Sequence, residues 1–245
     1  VRLARGIYGG WFWLVGGAWT LATGTLIVLA PGRAVRRHVA RLASRGLLHL
    51  LGMPVRVEGL QQLPEGPCII AANHASYLDG IVLTAALPPR FSFVIKREVT
   101  SVPFMHLVLR RLGAIFVERF NSHGAGGGLR QMIKAAREGQ ALGIFPEGTF
   151  TAETGIREFR MGTFMIAVRT GLPVAAVAIS GTRRLLPAES FWPRPGQIRV
   201  RVTGSHLGAG TDRASVLALR EAVRDSIVAA ADEPDLLKAP LPEES

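Results

Sequence analysis

Beyond Leu51 the chain alternates short apolar runs with stretches of helical spacing. Strands are expected at Val55–Val57, Pro67–Ala72, Phe91–Ile95, Ala114–Val117, Ala141–Phe145, Val174–Ile179 and Ile198–Val202. Between them, Ile81–Leu87 reads as a helix that ends at Pro88–Pro89. Leu129, Met132, Ile133 and Ala136 mark another, stopped at Gly139, and Gly162–Thr170 a third, stopped at Gly171. Val216, Leu219, Val223 and Ile227 mark the last, with Asp212 or Ser215 as its cap. Gly124 and Gly126–Gly128 read as a loop. Strands alternating with helices of this length predict an α/β fold, a mostly parallel sheet flanked by helices.

The first fifty residues follow another pattern. From Gly6 to Gly32 no residue is charged, and three of the four tryptophans (Trp11, Trp13, Trp19) lie in that run. About 20 apolar residues cross a bilayer as a helix, and tryptophan favours the membrane interface. Arg33, Arg37, Arg41 and Arg45 then recur at i, i+4, with Val35, Val39 and Leu42 on another face, as in a helix that meets anionic headgroups. A cleaved signal peptide fits less well, because the run is long and Ala30 precedes Pro31. A buried core helix leaves the arginines unexplained. Residues 1–51 are therefore expected to form a membrane-embedded helical hairpin, 52–231 the catalytic domain and 232–245 a loose acidic tail. The expected location is the cell membrane, with the catalytic domain facing the cytoplasm.

Charge sharpens this division. The 245 residues carry a formal +11, of which residues 1–50 supply seven arginines and no acid. Residues 90–184 add +8, and the tail from Asp232 contributes −4. Without a nucleic-acid-binding motif or aromatics interleaved on a basic strand, this charge is assigned to lipid and substrate phosphate, with no nucleic-acid partner. The single cysteine, Cys68, excludes an internal disulfide and a cysteine-based zinc site, and no metal or cofactor is expected. P-loop, G-x-S-x-G and H-E-x-x-H signatures are absent.

The remaining chemistry lies in Asn73-His74-Ala75-Ser76-Tyr77-Leu78-Asp79-Gly80, a polar turn between an expected strand and helix. A histidine ahead of the helix can accept a hydroxyl proton while an aspartate in its first turn orients the ring. Ser76-x-x-Asp79 is also a capping box, so Asp79 equally reads as a helix cap.

Downstream follow Gly113-Ala114-Ile115-Phe116-Val117-Glu118-Arg119, Phe145-Pro146-Glu147-Gly148-Thr149, and Leu172-Pro173-Val174 with Val177-Ala178-Ile179. In order and spacing these blocks, together with His74-x4-Asp79, resemble the glycerophospholipid acyltransferase family, and the apolar N-terminus resembles a two-helix membrane motif of some bacterial members. The resemblance implies transfer of an acyl chain from acyl-CoA or acyl carrier protein to the free hydroxyl of a lysophospholipid, foremost 1-acylglycerol-3-phosphate. It implies His74 as base and Asp79 as its orienting acid. It also implies Arg119 on the acceptor phosphate and Glu147, Gly148 and Thr149 on the acceptor. The plainer readings are a strand-end Arg119 paired with Glu118 or Glu147, and a simple strand-to-turn at Phe145–Thr149. Phe150 stands where the family has arginine, and Ala176 where it has a second proline. Arg157, Arg160, Arg183 or Arg184 are the candidate substitutes; a different acceptor, such as a lyso-aminolipid, is the alternative. A non-catalytic membrane-binding homologue is the third reading.

Overall fold

The structure, a computed structural model, describes residues 2–117 and 125–238. Its elements in chain order begin with the helices α1 (Arg2–Leu29) and α2 (Arg33–Leu50). Then come β1 (Val55–Glu58), β2 (Ile69–Ala72), α3 (Asp79–Ala86), β3 (Phe91–Lys96), α4 (Pro103–Leu112) and β4 (Ile115–Val117). They are followed by α5 (Ala125–Arg137), β5 (Ala141–Ile144), α6 (Gly162–Thr170), β6 (Val174–Ser180), α7 (Thr182–Leu185), β7 (Ile198–His206) and α8 (Arg213–Val228). The strands form one seven-stranded sheet in the order β1-β7-β6-β2-β5-β3-β4. The five from β6 to β4 are parallel, β7 runs antiparallel to β6, and β1 runs parallel to β7. This is the expected α/β architecture.

Both faces of the sheet are buried, so its central strands are apolar at every position. Ile70 and Ala72 of β2 point to one core, with Val177 and Ile179 of β6 and with Leu48, Val82 and Leu83 of α2 and α3. Ile69 and Ala71 point to the other, with Leu142 and Ile144 of β5 and with Met132, Phe164 and Val223 of the α5, α6 and α8 layer. Asp212, not Ser215, caps α8, its Oδ1 accepting from the Ser215 amide at 2.9 Å.

The structure departs from the expectations at several elements. Gly126–Gly128 are not a loop: they open α5, and a Cβ on Gly128 would lie 3.2 Å from Val117 Cγ1, so glycine lets this helix close on β4. Gly124 lies outside the described residues. The expected loose tail begins as packed chain, since Asp235 pairs with Arg224, Glu233 pairs with Arg183, and Ile156 bridges to Asp235. Residues 239–245 lie outside the described residues. The α4 helix, which no apolar spacing announced, starts at Pro103, whose missing amide proton costs nothing in the first turn.

Part of the arginine stripe of α2 is engaged by protein, while Arg33 and Arg45 remain exposed. Arg37 donates from Nε to Leu112 O (3.0 Å), from Nη1 to Arg90 O (2.6 Å) and from Nη2 to Ser92 Oγ (2.7 Å). Arg45 donates to Ala85 O at 2.9 Å, and the Arg33 side chain lies against Gly113. Carbonyls at strand and helix ends have no partner within their own element, and guanidinium supplies several donors from one fork. Of the apolar residues of the other face, Val35 and Leu42 are exposed, while Val39 packs half-buried against Ile27, Ala40 and Val108. Arg37→Ala is expected to cost about 1–3 kcal/mol, because it leaves three acceptors without their donor; chemical denaturation reads it, and an unchanged midpoint rejects the docking role.

Candidate active site

The turn after β2, the middle strand, carries the first candidates. Asn73 extends the sheet by side chain: its Nδ2 donates to Ile179 O at 2.9 Å and its Oδ1 accepts from Ile179 N at 2.7 Å. This pairing fixes where the strand stops and places His74 just beyond it. Nothing in the apolar pattern marked Asn73; an amide directly after a buried strand is its only signal.

Asp79 opens α3 and is fully buried. Its Oδ2 accepts from His74 Nδ1 (2.8 Å), Ala75 N (2.7 Å) and Ser76 N (2.8 Å). These contacts combine a ring bond with a helix-start bond. The bond to the Ser76 amide is one half of a capping box, but Ser76 Oγ accepts from Leu78 N and donates to Leu186 O. One carboxylate thus shapes the turn and orients the ring, leaving His74 Nε2 as the nitrogen not engaged by Asp79.

Glu147 reaches the same turn through strand register. β2 and β5 are parallel neighbours with Ala71 opposite Ile144, so three residues further on His74 lies opposite Glu147. Glu147 Oε1 accepts from His74 N (2.7 Å) and Oε2 from Arg157 N (3.0 Å). Each oxygen of the expected acceptor ligand is thus engaged by a backbone amide, and the side chain braces two loops. At 4% exposure, burial pushes its pKa from 4.5 up to about 7; the two amide bonds oppose this rise and the nearby Asp79 charge adds to it. The folded chain therefore holds this proton more tightly than the unfolded chain does. Stability is expected to fall as pH rises through about 4.5 to 7, by up to about 3 kcal/mol. Glu147→Gln is expected to flatten that slope, read by denaturation at about pH 5 and about pH 8; an unchanged slope discards the assignment.

Aromatic rings complete the setting. Phe145 stacks on the His74 imidazole with centroids 4.1 Å apart, and Phe150 meets it edge-on at 4.5 Å. Tyr77 in turn meets Phe150 at 4.6 Å. Phe150, read from sequence as a missing cation, is thus part of the wall around the imidazole. Phe145 was missed because an apolar residue ending a strand reads as core.

Gly148 has φ 75 and the Arg160 side chain lies over it: a Cβ there would approach Arg160 Nε to 2.8 Å. Gly148, Thr149, Phe150 and Arg160 line the same cavity as His74. Of the four candidate substitute cations, Arg183 is occupied by Glu233 and by the carbonyls of Thr151 and Glu153. Arg184 is exposed and, like Arg157, does not line the cavity. Arg119 lies outside the described residues.

The cavity measures about 1220 Å³, above the usual range for ligand clefts of about 300–1,000 Å³. It runs from His74 and Tyr77 past Phe93 and Val108 to Trp19, Thr23 and Ile27 of α1. Its far wall is therefore the N-terminal hairpin. Among the described residues no three His, Cys, Asp or Glu side chains converge as a metal site would require. In α1, residues Arg5–Leu29 are long and apolar enough to cross a membrane, with Leu3, Ile7, Leu14, Leu21 and Leu29 exposed along it.

Comparison with known proteins places these features together. A family model described as Acyltransferase matches residues 54–180. The chain is 32% identical over 136 residues to the 1-acyl-sn-glycerol-3-phosphate acyltransferase of Borreliella burgdorferi, covering 55% of this chain and 54% of that one. It is also 32% identical over 176 residues to the enzyme of the same name from Pseudomonas aeruginosa, covering 69% and 64%. The chain spans roughly half the length of such relatives, and 39% of a chloroplastic one from Brassica napus. The crystal structure of the 1-acyl-sn-glycerophosphate (LPA) acyltransferase of Thermotoga maritima shares the fold, with TM-score 0.78 over 92% of this chain and 94% of that one, at 22% identity.

Proposed function

Because the chain belongs to the acyltransferase family, whose model covers more than half of it, we propose that it transfers an acyl chain from a thioester to the free hydroxyl of a lysophospholipid, foremost 1-acylglycerol-3-phosphate. The observation that carries this reading is the His74–Asp79 pair at one end of a long apolar cavity. His74 Nε2 takes the proton of the acceptor hydroxyl as its oxygen attacks the thioester carbonyl. The new C–O ester bond forms, the C–S bond breaks, and the proton held by His74 passes to the departing thiolate. Asp79 keeps the ring in the tautomer that leaves Nε2 able to accept, and its negative charge stabilises the imidazolium between the two transfers. No covalent acyl-enzyme is needed.

The acyl chain lies in the cavity toward Trp19 and Thr23, and the acceptor phosphate meets Arg160 over Gly148, with Thr149 beside it and Arg119 as the family's further phosphate ligand. The donor is acyl-CoA or acyl carrier protein. Residues 1–51 hold 52–231 at the cell membrane, facing the cytoplasm, through the apolar stripe of α1. One observation favours a second acceptor: the aromatic Phe150–Tyr77 pair at the imidazole presents no charge and suits a lysolipid without a phosphomonoester, such as a lyso-aminolipid. A panel of lysolipids offered with one labelled acyl thioester decides. Preference for lysophosphatidic acid is the expected result, preference for another lysolipid selects the second reading, and no transfer to any acceptor rejects both.

A further inference from the structure

The connector between α7 and β7, residues 187–197, carries two large apolar rings that pack against no core. Phe191 is 76% exposed and Trp192 is 62% exposed. Yet this connector is not free chain. Arg194 N donates to Leu185 O at 2.8 Å and Gly196 N to Gly52 O at 3.0 Å. Trp13 of α1 donates its indole N–H to Phe191 O at 2.9 Å, and its ring lies 6.4 Å from the Phe191 ring. Trp192 lies over α1 at Gly9, where a Cβ would approach its ring to 3.1 Å, so glycine lets the ring settle on the helix. The rings are therefore held out by design of the backbone, alongside the exposed Trp11 and Trp13 of α1.

Soluble surfaces rarely expose contiguous apolar patches beyond a few hundred Å². This one continues the exposed stripe of α1, a helix of membrane-crossing length that is uncharged from Gly6 to Leu29. Tryptophan next to such a helix matches the aromatic belt at a lipid–water boundary, and the exposed Arg184, before the connector, and Arg194, within it, carry the charge that anionic headgroups attract. At its other end the connector reaches the active-site cavity: Ala188 and Glu189 line it, and Glu189 adopts φ 63, a left-handed conformation unusual for a side chain, as the chain turns outward.

We propose that residues 187–197 are a second lipid-contacting element, in which Phe191 and Trp192 enter the same leaflet as α1 and hold the mouth of the His74 cavity at the lipid surface. The inference rests on the reading of α1 as membrane-embedded. Its consequence is positional, since α1 alone fixes a tilt axis and a second contact beside the cavity fixes the rotation about it.

The test uses the full chain in vesicles of phosphatidylethanolamine and phosphatidylglycerol whose acyl chains are brominated near the headgroup end, with quenching of tryptophan emission as readout. Trp192→Phe keeps an apolar ring in place, so folding and membrane contact are preserved while one of the four tryptophans is removed. The variant is expected to lose a share of the quenched emission comparable with that lost by Trp11→Phe. If Trp11→Phe loses quenched emission and Trp192→Phe loses none, the connector does not touch lipid and the proposal falls while α1 remains embedded. If neither variant differs and the wild type is not quenched, the reading of α1 falls with it. If light scattering shows a dimer that Phe191→Ser/Trp192→Ser converts to monomer, the rings are covered by a second copy, which also overturns the proposal.

Discussion

Replacing His74 by alanine is expected to lower acyl transfer by about 10²–10⁴-fold, the contribution of one positioned general base. The geometry makes the loss specific. The imidazole is held by Asp79 through Nδ1 and by Phe145 through stacking, while Glu147 accepts from the His74 backbone amide, so removing the ring leaves the turn itself supported. Asp79 separates two roles. In Asp79→Asn an acceptor oxygen can still meet the Ala75 and Ser76 amides, but the charge that steadies the imidazolium is gone, so activity falls with little loss of fold. Asp79→Ala leaves those buried amides without a partner, which costs about 1–3 kcal/mol each in addition. Turnover with the labelled thioester and denaturation midpoints, measured on all three variants, check this. A His74→Ala chain retaining more than about a tenth of the activity eliminates the base assignment.

Truncation after Ala231 is expected to be the most damaging change to stability. Arg224 of α8 is 2% exposed, donates to Ile156 O and Arg157 O, and pairs with both carboxylate oxygens of Asp235. Beside Arg224 and the Asp235–Leu237 turn, Asp235 is held at about 2, well below the usual carboxylate range. Arg183 depends on Glu233 in the same way, at 2.9 Å. Removing the acids leaves the buried Arg224 and the largely covered Arg183 without counter-charge, and breaking a buried pair by deleting one partner costs about 3–5 kcal/mol. Loss of the Glu233 partner also loosens the segment 151–155 that Arg183 holds by its carbonyls, close to the Glu147 brace. Asp235→Asn isolates the first pair. A truncated chain with the wild-type denaturation midpoint shows that these pairs contribute nothing.

The tail also shows where reading along the chain stops being informative. Prolines and acids dominate Asp232–Ser245, and a segment of that composition reads as loose. The partners that order its first seven residues, Arg183 and Arg224, lie in α7 and α8, and an arginine in an amphipathic helix gives no sign of facing inward. The α2 stripe shows the same limit. Four arginines at i, i+4 specify a face but not its neighbour, and here the neighbour is a set of strand-end and helix-end carbonyls.

What the sequence determined by itself was local and ordered. Alternating strand and helix periods implied a mostly parallel sheet flanked by helices. The strand–turn–helix around His74 and Asp79 was visible because both groups lie within six consecutive residues, close enough for local geometry to join them. Only the tertiary structure decided what comes from distant segments. The β2–β5 register brings Glu147 to the His74 amide, the sheet order sets Asn73 against β6, and the hairpin closes the far wall of the cavity. Each of these depends on which surfaces pack together, and burial, unlike periodicity, is a property of the whole chain.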